Sequence, residues 1–167
     1  MTVSLRETRI ADIFRLQEIE RAAGELFRDS ELIDIDNMAV IPMADHIASV
    51  ENGISIVAEI RDRIAGFVMG EMQGEVAYLR ELDVDIAFQR RGIGAVLVNA
   101  YVEAARAKGA EAVYLSTFRA PPWNAPFYRR MGFVDIDRAD YRPWMIAMEA
   151  VQASFLDVST RVFMRKP

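Results

Sequence analysis

The stretch Gln89-Arg90-Arg91-Gly92-Ile93-Gly94-Ala95 decides how this chain reads. It follows an apolar run with strand character, Val76 to Val84, and opens a helix that runs to about Lys108. Two glycines at a strand-to-helix joint let a ligand approach the backbone without a Cβ in the way. The first amides of the helix have no intrahelical acceptor and point at whatever occupies the joint, which favours a phosphate. A nucleotide-like cofactor is therefore the first ligand class to test.

The flanking pattern narrows it. No Lys-Ser or Lys-Thr follows the glycines, so this is not a Walker A loop. A dinucleotide fingerprint requires Gly-x-Gly-x-x-Gly after a first strand, with an acidic residue further on, and the spacing here does not meet it. A diphosphate held without a long ribose-binding crossover fits better.

Working outward, Val3 to Ile10 reads as an opening strand, and Asp12 as the cap of a helix beginning near Ile13. Glu20 interrupts the apolar face of that helix. Asp29 to Met43 has no clear period and reads as a flexible, lid-like arm, followed by a short helix from Pro42 to Asn52-Gly53. Ile54 to Ile60 and Ile64 to Met72 form a hairpin about Arg61-Asp62-Arg63, and Gly74 separates them from Val76 to Val84. Gly109 stops the long helix, and Ala112 to Thr117 is again a strand, so a right-handed parallel crossover is expected. Asn124 to Met131 reads as a short helix closed by Gly132. Phe133 to Ile136 and Phe155 to Met164 read as strands that pair. Tyr141 and Trp144, between them, are candidates for a substrate wall or a subunit contact.

Composition sets the outer limits. The 167 residues are 52% hydrophobic and 27% charged, ordinary for one globular domain over 1–167. Without cysteine there is neither a disulfide framework nor a thiolate nucleophile. No signal peptide is evident and no run of about 18 uncharged apolar residues occurs, so a cytoplasmic protein with no membrane partner is expected. A net charge of −5 argues against nucleic-acid binding and suits a small cationic acceptor. His46, the lone histidine, cannot build a zinc site, so no metal is expected, and it reads as a surface helix residue.

Two segments together carry a family resemblance. Leu82-Asp83-Val84-Asp85-Ile86-Ala87-Phe88-Gln89-Arg90-Arg91-Gly92-Ile93-Gly94-Ala95 resembles the acetyl-CoA motif of the GCN5-related N-acetyltransferases (GNAT). Asn124-Ala125-Pro126-Phe127-Tyr128-Arg129-Arg130-Met131-Gly132-Phe133 resembles that family's second motif, a helix carrying asparagine and tyrosine before a glycine-phenylalanine pair. The element order matches along nearly the whole chain. The resemblance implies an α/β fold whose mixed, mostly antiparallel sheet of about seven strands splays in the middle, flanked by about four helices. It also implies acetyl-CoA as cosubstrate, with a homodimer as a frequent assembly.

Residue by residue, the resemblance implies that amides from Gln89 through Arg90, Arg91, Gly92, Ile93, Gly94 and Ala95 hold the diphosphate. Leu82, Asp83 and Val84 would offer strand backbone to the pantetheine arm, and the Val84 amide would serve as oxyanion donor. Asn124 matches the asparagine that contacts the arm, and Tyr128 the tyrosine that protonates the leaving thiolate. Two positions depart from the usual motif: Ile86 stands where proline is frequent, and Arg90 where glycine is. Arg90 and Arg91 could add attraction to phosphate oxygens.

Amine chemistry points the same way. An alkyl ammonium has a pKa near 10.4 and must lose a proton before it attacks a thioester, so a carboxylate or ordered water is needed as base. Glu81 is the first candidate. Asp83, on the same strand face by period two, and Glu20 and Glu25 from the first helix region are rivals. Phe127, with Phe118 and Trp123, is either a channel wall or ordinary packing. The expected activity is direct acetyl transfer in a ternary complex to a primary amine of a small molecule. A protein N-terminus or lysine, another acyl group or an alcohol acceptor stay open, as does a non-catalytic acyl-CoA-binding module.

Overall fold

In the computed structural model, which describes residues 2–167, one seven-stranded sheet runs the length of the chain. The strands are β1 (Ser4–Glu7), β2 (Ile54–Ile60), β3 (Arg63–Gln73), β4 (Val76–Val84), β5 (Ala112–Phe118), β6 (Val134–Asp135) and β7 (Arg161–Lys166), in the order β1-β2-β3-β4-β5-β7-β6. Every pairing is antiparallel except β4 with β5, the expected crossover. Five helices flank the sheet: α1 (Ile13–Gly24), α2 (Met43–Asn52), α3 (Ile93–Ala107), α4 (Ala125–Arg130) and α5 (Pro143–Gln152). None of the described helices is long and apolar enough to cross a membrane.

α3 presents Ile93, Leu97, Val98, Tyr101, Val102 and Ala105 to one face of the sheet, where α4 joins it through Ala125 and Tyr128. On the other face Leu16 and Ile19 of α1 pack against Val57, Phe67 and Met69. Met145 of α5 packs there against Tyr78, Tyr114 and Phe163.

Two features of β4 shape everything downstream. First, β4 pairs with β5 only over Val76–Tyr78 and Ala112–Tyr114, after which the strands part. Second, the β3–β4 register slips: Met69 faces Glu81 while Gly70 faces Leu79, leaving Arg80 as an extra residue on β4. Such a bulge re-aims every side chain beyond it. Before it, Ala77 and Leu79 face α3; after it, Leu82 and Val84 do. Glu81 and Asp83, opposite Met69 and Phe67, consequently turn to the α1 face. Strict alternation from Ala77 and Leu79 would have driven both carboxylates against α3.

The bulge is held from behind. The Tyr101 hydroxyl donates to the Tyr78 carbonyl at 2.8 Å. A Cβ on Gly70 would lie 2.0 Å from that carbonyl oxygen and 2.3 Å from the hydroxyl. Glycine is required here by space.

Several expectations change. Asp12 does not cap α1: its carboxylate takes the Arg9 amide at 2.7 Å and pairs with Arg6, locking the preceding turn. The 29–43 arm lacks regular period but is tied down, because the Gln17 side chain holds the Ile41 carbonyl at 2.9 Å and Glu20 holds its amide. Pro42 sits at the cap of α2, one position before its first residue. The last strand begins only at Arg161, and residues 155–160 are a turn followed by a short 3-10 helix (Val158–Thr160), whose first turn Asp157 caps through the Ser159 amide. Part of the segment between β6 and β7 is the fifth helix, and there Tyr141 and Trp144 pack on Phe163 and Tyr114 as core. His46 is 1% exposed, against the surface position its polarity suggested. It faces Phe67 across 5.8 Å, and burial lowers its pKa, so it packs as a neutral ring.

Replacing Gly70 by Ala should cost about 3 kcal/mol, because the colliding atom is backbone. For a chain of this length that corresponds to a Tm lower by roughly 6–12 °C. Tyr101→Phe should cost less, about 1–2 kcal/mol, through the carbonyl it strands. Thermal and urea unfolding would measure both.

Candidate active site

Where β4 and β5 part, they enclose a cleft of about 940 Å³. Its walls differ in chemistry, and each wall follows from a local feature of the chain.

The first wall is the start of α3. Arg90 (φ 58°) and Gly92 (φ 79°) both take left-handed backbone, which curls the segment ahead of the helix. A Cβ on Gly92 would meet nothing within 4 Å, so conformation rather than space calls for glycine there. The helical ladder begins with the Val96 amide donating to the Gly92 carbonyl at 3.2 Å. The amides of Ile93, Gly94 and Ala95 are left at the open helix end, facing the cleft, where the helix dipole adds positive potential. Gln89 is differently engaged: its amide turns to the Ile86 carbonyl at 3.5 Å, and its side chain donates to the Val84 carbonyl at 3.1 Å. Arg90 lines the cleft, while the Arg91 guanidinium stands 5.7 Å over the Phe88 ring.

The second wall is the free edge of β4. The Asp85 amide donates to Ala65 of β3 at 2.9 Å. By alternation, Leu82 and Val84 direct their amides away from β3, into the split. The turn beyond is fastened by Asp85, which caps the Ala87 amide at 2.8 Å and pairs with Arg15 of α1.

The third wall is α4 with the loop before it. Asn124 donates through Nδ2 to the Thr117 hydroxyl at 2.9 Å, and its Oδ1 is buried without a partner among the described residues. Phe127 lies 3.6 Å from where a Gly94 Cβ would sit, so it is packed against the helix start and borders the cleft. Tyr128 is 7% exposed, held edge-to-face between Phe127 and Phe133, and reaches the cleft. Burial, reinforced by Glu81 and Asp83, raises its pKa, so the hydroxyl keeps its proton and acts as a donor.

The fourth wall carries charge. Glu20, Glu81 and Asp83 converge on the α1 side. Burial pushes the Glu20 carboxyl up to about 8, helped by Glu81 and opposed by the Ile41 amide that it accepts through both oxygens, at 2.9 and 3.1 Å. Glu81 is raised by burial, against the pull of Arg161. Asp83 is raised further, by burial and by repulsion from Glu81 and Glu20, and its Oδ2 has no hydrogen-bond partner among the described residues. Both Glu81 and Asp83 keep partial exposure and line the cleft. Glu25 does not join them: it is exposed and bound to Arg28 at 2.7 Å.

Arg161, the first residue of β7, also lines the cleft, and local sequence patterning did not single it out. Its Nη2 donates to the Ser116 carbonyl at 3.0 Å and to the Ser116 hydroxyl at 3.1 Å. Its guanidinium lies 4.5 Å over the Phe118 ring. The only local signal is a cation opening an otherwise apolar strand; its place beside the acids is created by the β5–β7 register, which sets Arg161 opposite Phe118.

A family model described as the acetyltransferase (GNAT) family matches residues 13–133, and the chain belongs to that family. Solved structures agree on the fold. The PaiA N-acetyltransferase of Thermoplasma acidophilum, solved with coenzyme A, is similar at a TM-score of 0.75 and 17% identity, covering 99% of each chain. The ribosomal-protein-S18-alanine N-acetyltransferase of Escherichia coli reaches 0.72 at 15% identity, over 99% of this chain and 94% of that one. A GNAT acetyltransferase from Staphylococcus aureus Mu50 also reaches 0.72, at 17% identity, over 99% and 98%. The protein is an acetyl-CoA-dependent acetyltransferase by class.

The carboxyl of Glu20 makes a specific pH signature. Its folded pKa lies above the ordinary 4.5, so its contribution to stability is complete below that value and is lost as pH rises through about 8. The urea midpoint of the parent should therefore fall more steeply between pH 5 and 9 than that of Glu20→Gln. Parallel curves for the two proteins would refute the raised value.

Proposed function

We propose that this acetyltransferase moves the acetyl group of acetyl-CoA directly to a primary amine of a small molecule. The observation that carries the reading is the division of one cleft into two chemistries. Orphan amides, a buried carbonyl oxygen and a protonated tyrosine lie toward α3 and α4, while three crowded carboxyls lie toward α1.

The first set fits coenzyme A on the chemistry of its donors. The amides of Gly92 to Ala95, with the cation of Arg90, suit the diphosphate. The unpartnered Oδ1 of Asn124 suits an amide N–H of the pantetheine arm, and the edge groups of Leu82 and Val84 can bond the same arm in the manner of an added strand. Gln89 then acts as a brace, fixing Val84 through its carbonyl. When bound, acetyl-CoA supplies an activated thioester, a carbonyl carbon open to attack with a thiolate as leaving group.

This chain's residues supply the proton handling and the charge stabilisation. An ammonium entering among Glu20, Glu81 and Asp83 meets carboxyls whose ionisation is resisted by burial and, at Glu20 and Asp83, by neighbouring acids, and its charge favours their ionised form. Glu81 is the proposed base. Its raised pKa narrows the gap to the ammonium, so proton transfer to it is less uphill than to an ordinary carboxylate. The Val84 amide is the proposed donor to the oxygen that gains negative charge. Tyr128, held protonated, delivers its proton to the departing sulfur and is replenished from solvent through the cleft.

Tyr128→Phe should lower kcat by roughly 10²–10³-fold while coenzyme A affinity by calorimetry stays nearly unchanged. Normal turnover of this variant on an amine panel would remove Tyr128 from the mechanism. In the parent, kcat/KM should climb with pH through a limb above the ordinary carboxylate range as the Glu81–Asp83 pair loses its proton. Glu81→Gln should abolish that limb, and a profile unchanged by the substitution would assign the base elsewhere.

A further inference from the structure

Among the ionisable groups on the cleft wall, Arg161 is one to which the proposed mechanism gives no role. Burial disfavours its charged form, yet a guanidinium keeps its proton in proteins, so a cation is committed to this wall. Its satisfaction is incomplete. Two N–H bonds go to Ser116, Nε is buried without an acceptor, and the guanidinium forms no salt bridge among the described residues. Glu81 feels its field without pairing with it. A desolvated guanidinium of this kind is costly unless an anion completes it, and a carboxylate matches its planar fork.

The acids and the cation line one opening without pairing in a salt bridge among the described residues. Between and beyond them the wall is apolar: Phe27 packs on Phe118 at 5.5 Å and on Trp123 at 5.8 Å, with Met38 from the 29–43 arm closing over Gly24. The Phe118 ring also forms the platform that fixes the guanidinium plane. This places a cation-seeking pole, an anion-seeking pole and an apolar side in a single cavity.

Building on the acceptor reading above, we infer that Arg161 is a carboxylate-binding residue and that the acceptor is an amino acid-like molecule. Its amine meets Glu20, Glu81 and Asp83, its carboxylate meets Arg161, and its apolar portion lies against Phe27 and Trp123. Ser116 and Phe118 position the guanidinium. The two poles also orient the amine, because a ligand anchored at both ends cannot rotate its nucleophile away from the β4 edge.

The test pairs L-leucine and L-phenylalanine with isopentylamine and 2-phenylethylamine, which lack only the carboxylate. Binding is followed by calorimetry on protein saturated with coenzyme A, and turnover with acetyl-CoA. The parent should favour the amino acids by roughly a hundredfold or more in kcat/KM, since the plain amines strand the guanidinium. Arg161→Gln should erase this preference chiefly through KM, with the pH limb moving upward as Glu81 loses the cation's pull, and Arg161→Lys should restore part of the preference. A parent that binds both series equally overturns the inference, as does a protein that takes up coenzyme A but neither series. So does an Arg161→Gln variant that weakens both series alike, which would make Arg161 only a tuner of Glu81. Amino acid binding without any acetyl transfer would keep the carboxylate site and defeat the transfer reading. Transfer to amines with no discrimination would do the reverse.

Discussion

The extra residue at Arg80 is the constraint on which the site depends. A strand shows alternate residues to alternate faces, so a single inserted residue exchanges the faces of everything after it. In β4 that exchange separates the apolar side chains of Leu82 and Val84, which α3 buries, from Glu81 and Asp83, which turn to α1. Gly70 makes room for the displaced carbonyl of Tyr78, and the Tyr101 hydroxyl satisfies it. The parting of β4 from β5 just beyond then exposes edge amides and carbonyls that no strand completes. Together, bulge and split convert an ordinary sheet interior into a cleft with a donor-rich side and an acidic side.

That cleft is electrostatically uncomfortable by construction. Three carboxyls repel one another while a guanidinium in the same cleft forms no salt bridge among the described residues, and each is partly desolvated. Such arrangements lower stability, and they persist where a ligand of complementary charge relieves them. The surrounding structure offsets the cost with rigid supports. Ile41 is clamped by Gln17 and Glu20, Asp85 joins α1 to the turn after β4, and Phe118 carries Arg161. The segment 29–43 is thereby a wall of the cavity rather than a loose flap.

Much of this fold was legible because its signals are local. The β2–β3 hairpin, the bounds of β4, the helix after Gly92 and its stop at Gly109 follow from β-branched runs, glycines and apolar period. The failures have physical causes as well. α5 is broadly apolar, with core residues mixed among exposed Ile146 and Val151, so no clean stripe marks it. His46 looked like a surface residue because nothing in its neighbours shows that α2 turns that side to Phe67. Among the candidate bases, period two correctly put Glu81 and Asp83 on one face but could not say which face, and Glu25 was drawn off by Arg28.

What the sequence by itself determined is the set of chemical parts with short-range order: glycines at a strand-to-helix joint, an asparagine and tyrosine on a short helix, carboxylates on a strand. These are properties of neighbouring residues, and covalent connection alone brings them together. Which parts share a cavity was decided by tertiary structure. A register slip, a strand split and the pairing of β5 with β7 set the distances among Glu20, Glu81, Tyr128 and Arg161, residues far apart along the chain. Their pKa shifts, and hence their chemistry, arise only from that proximity and the burial that accompanies it.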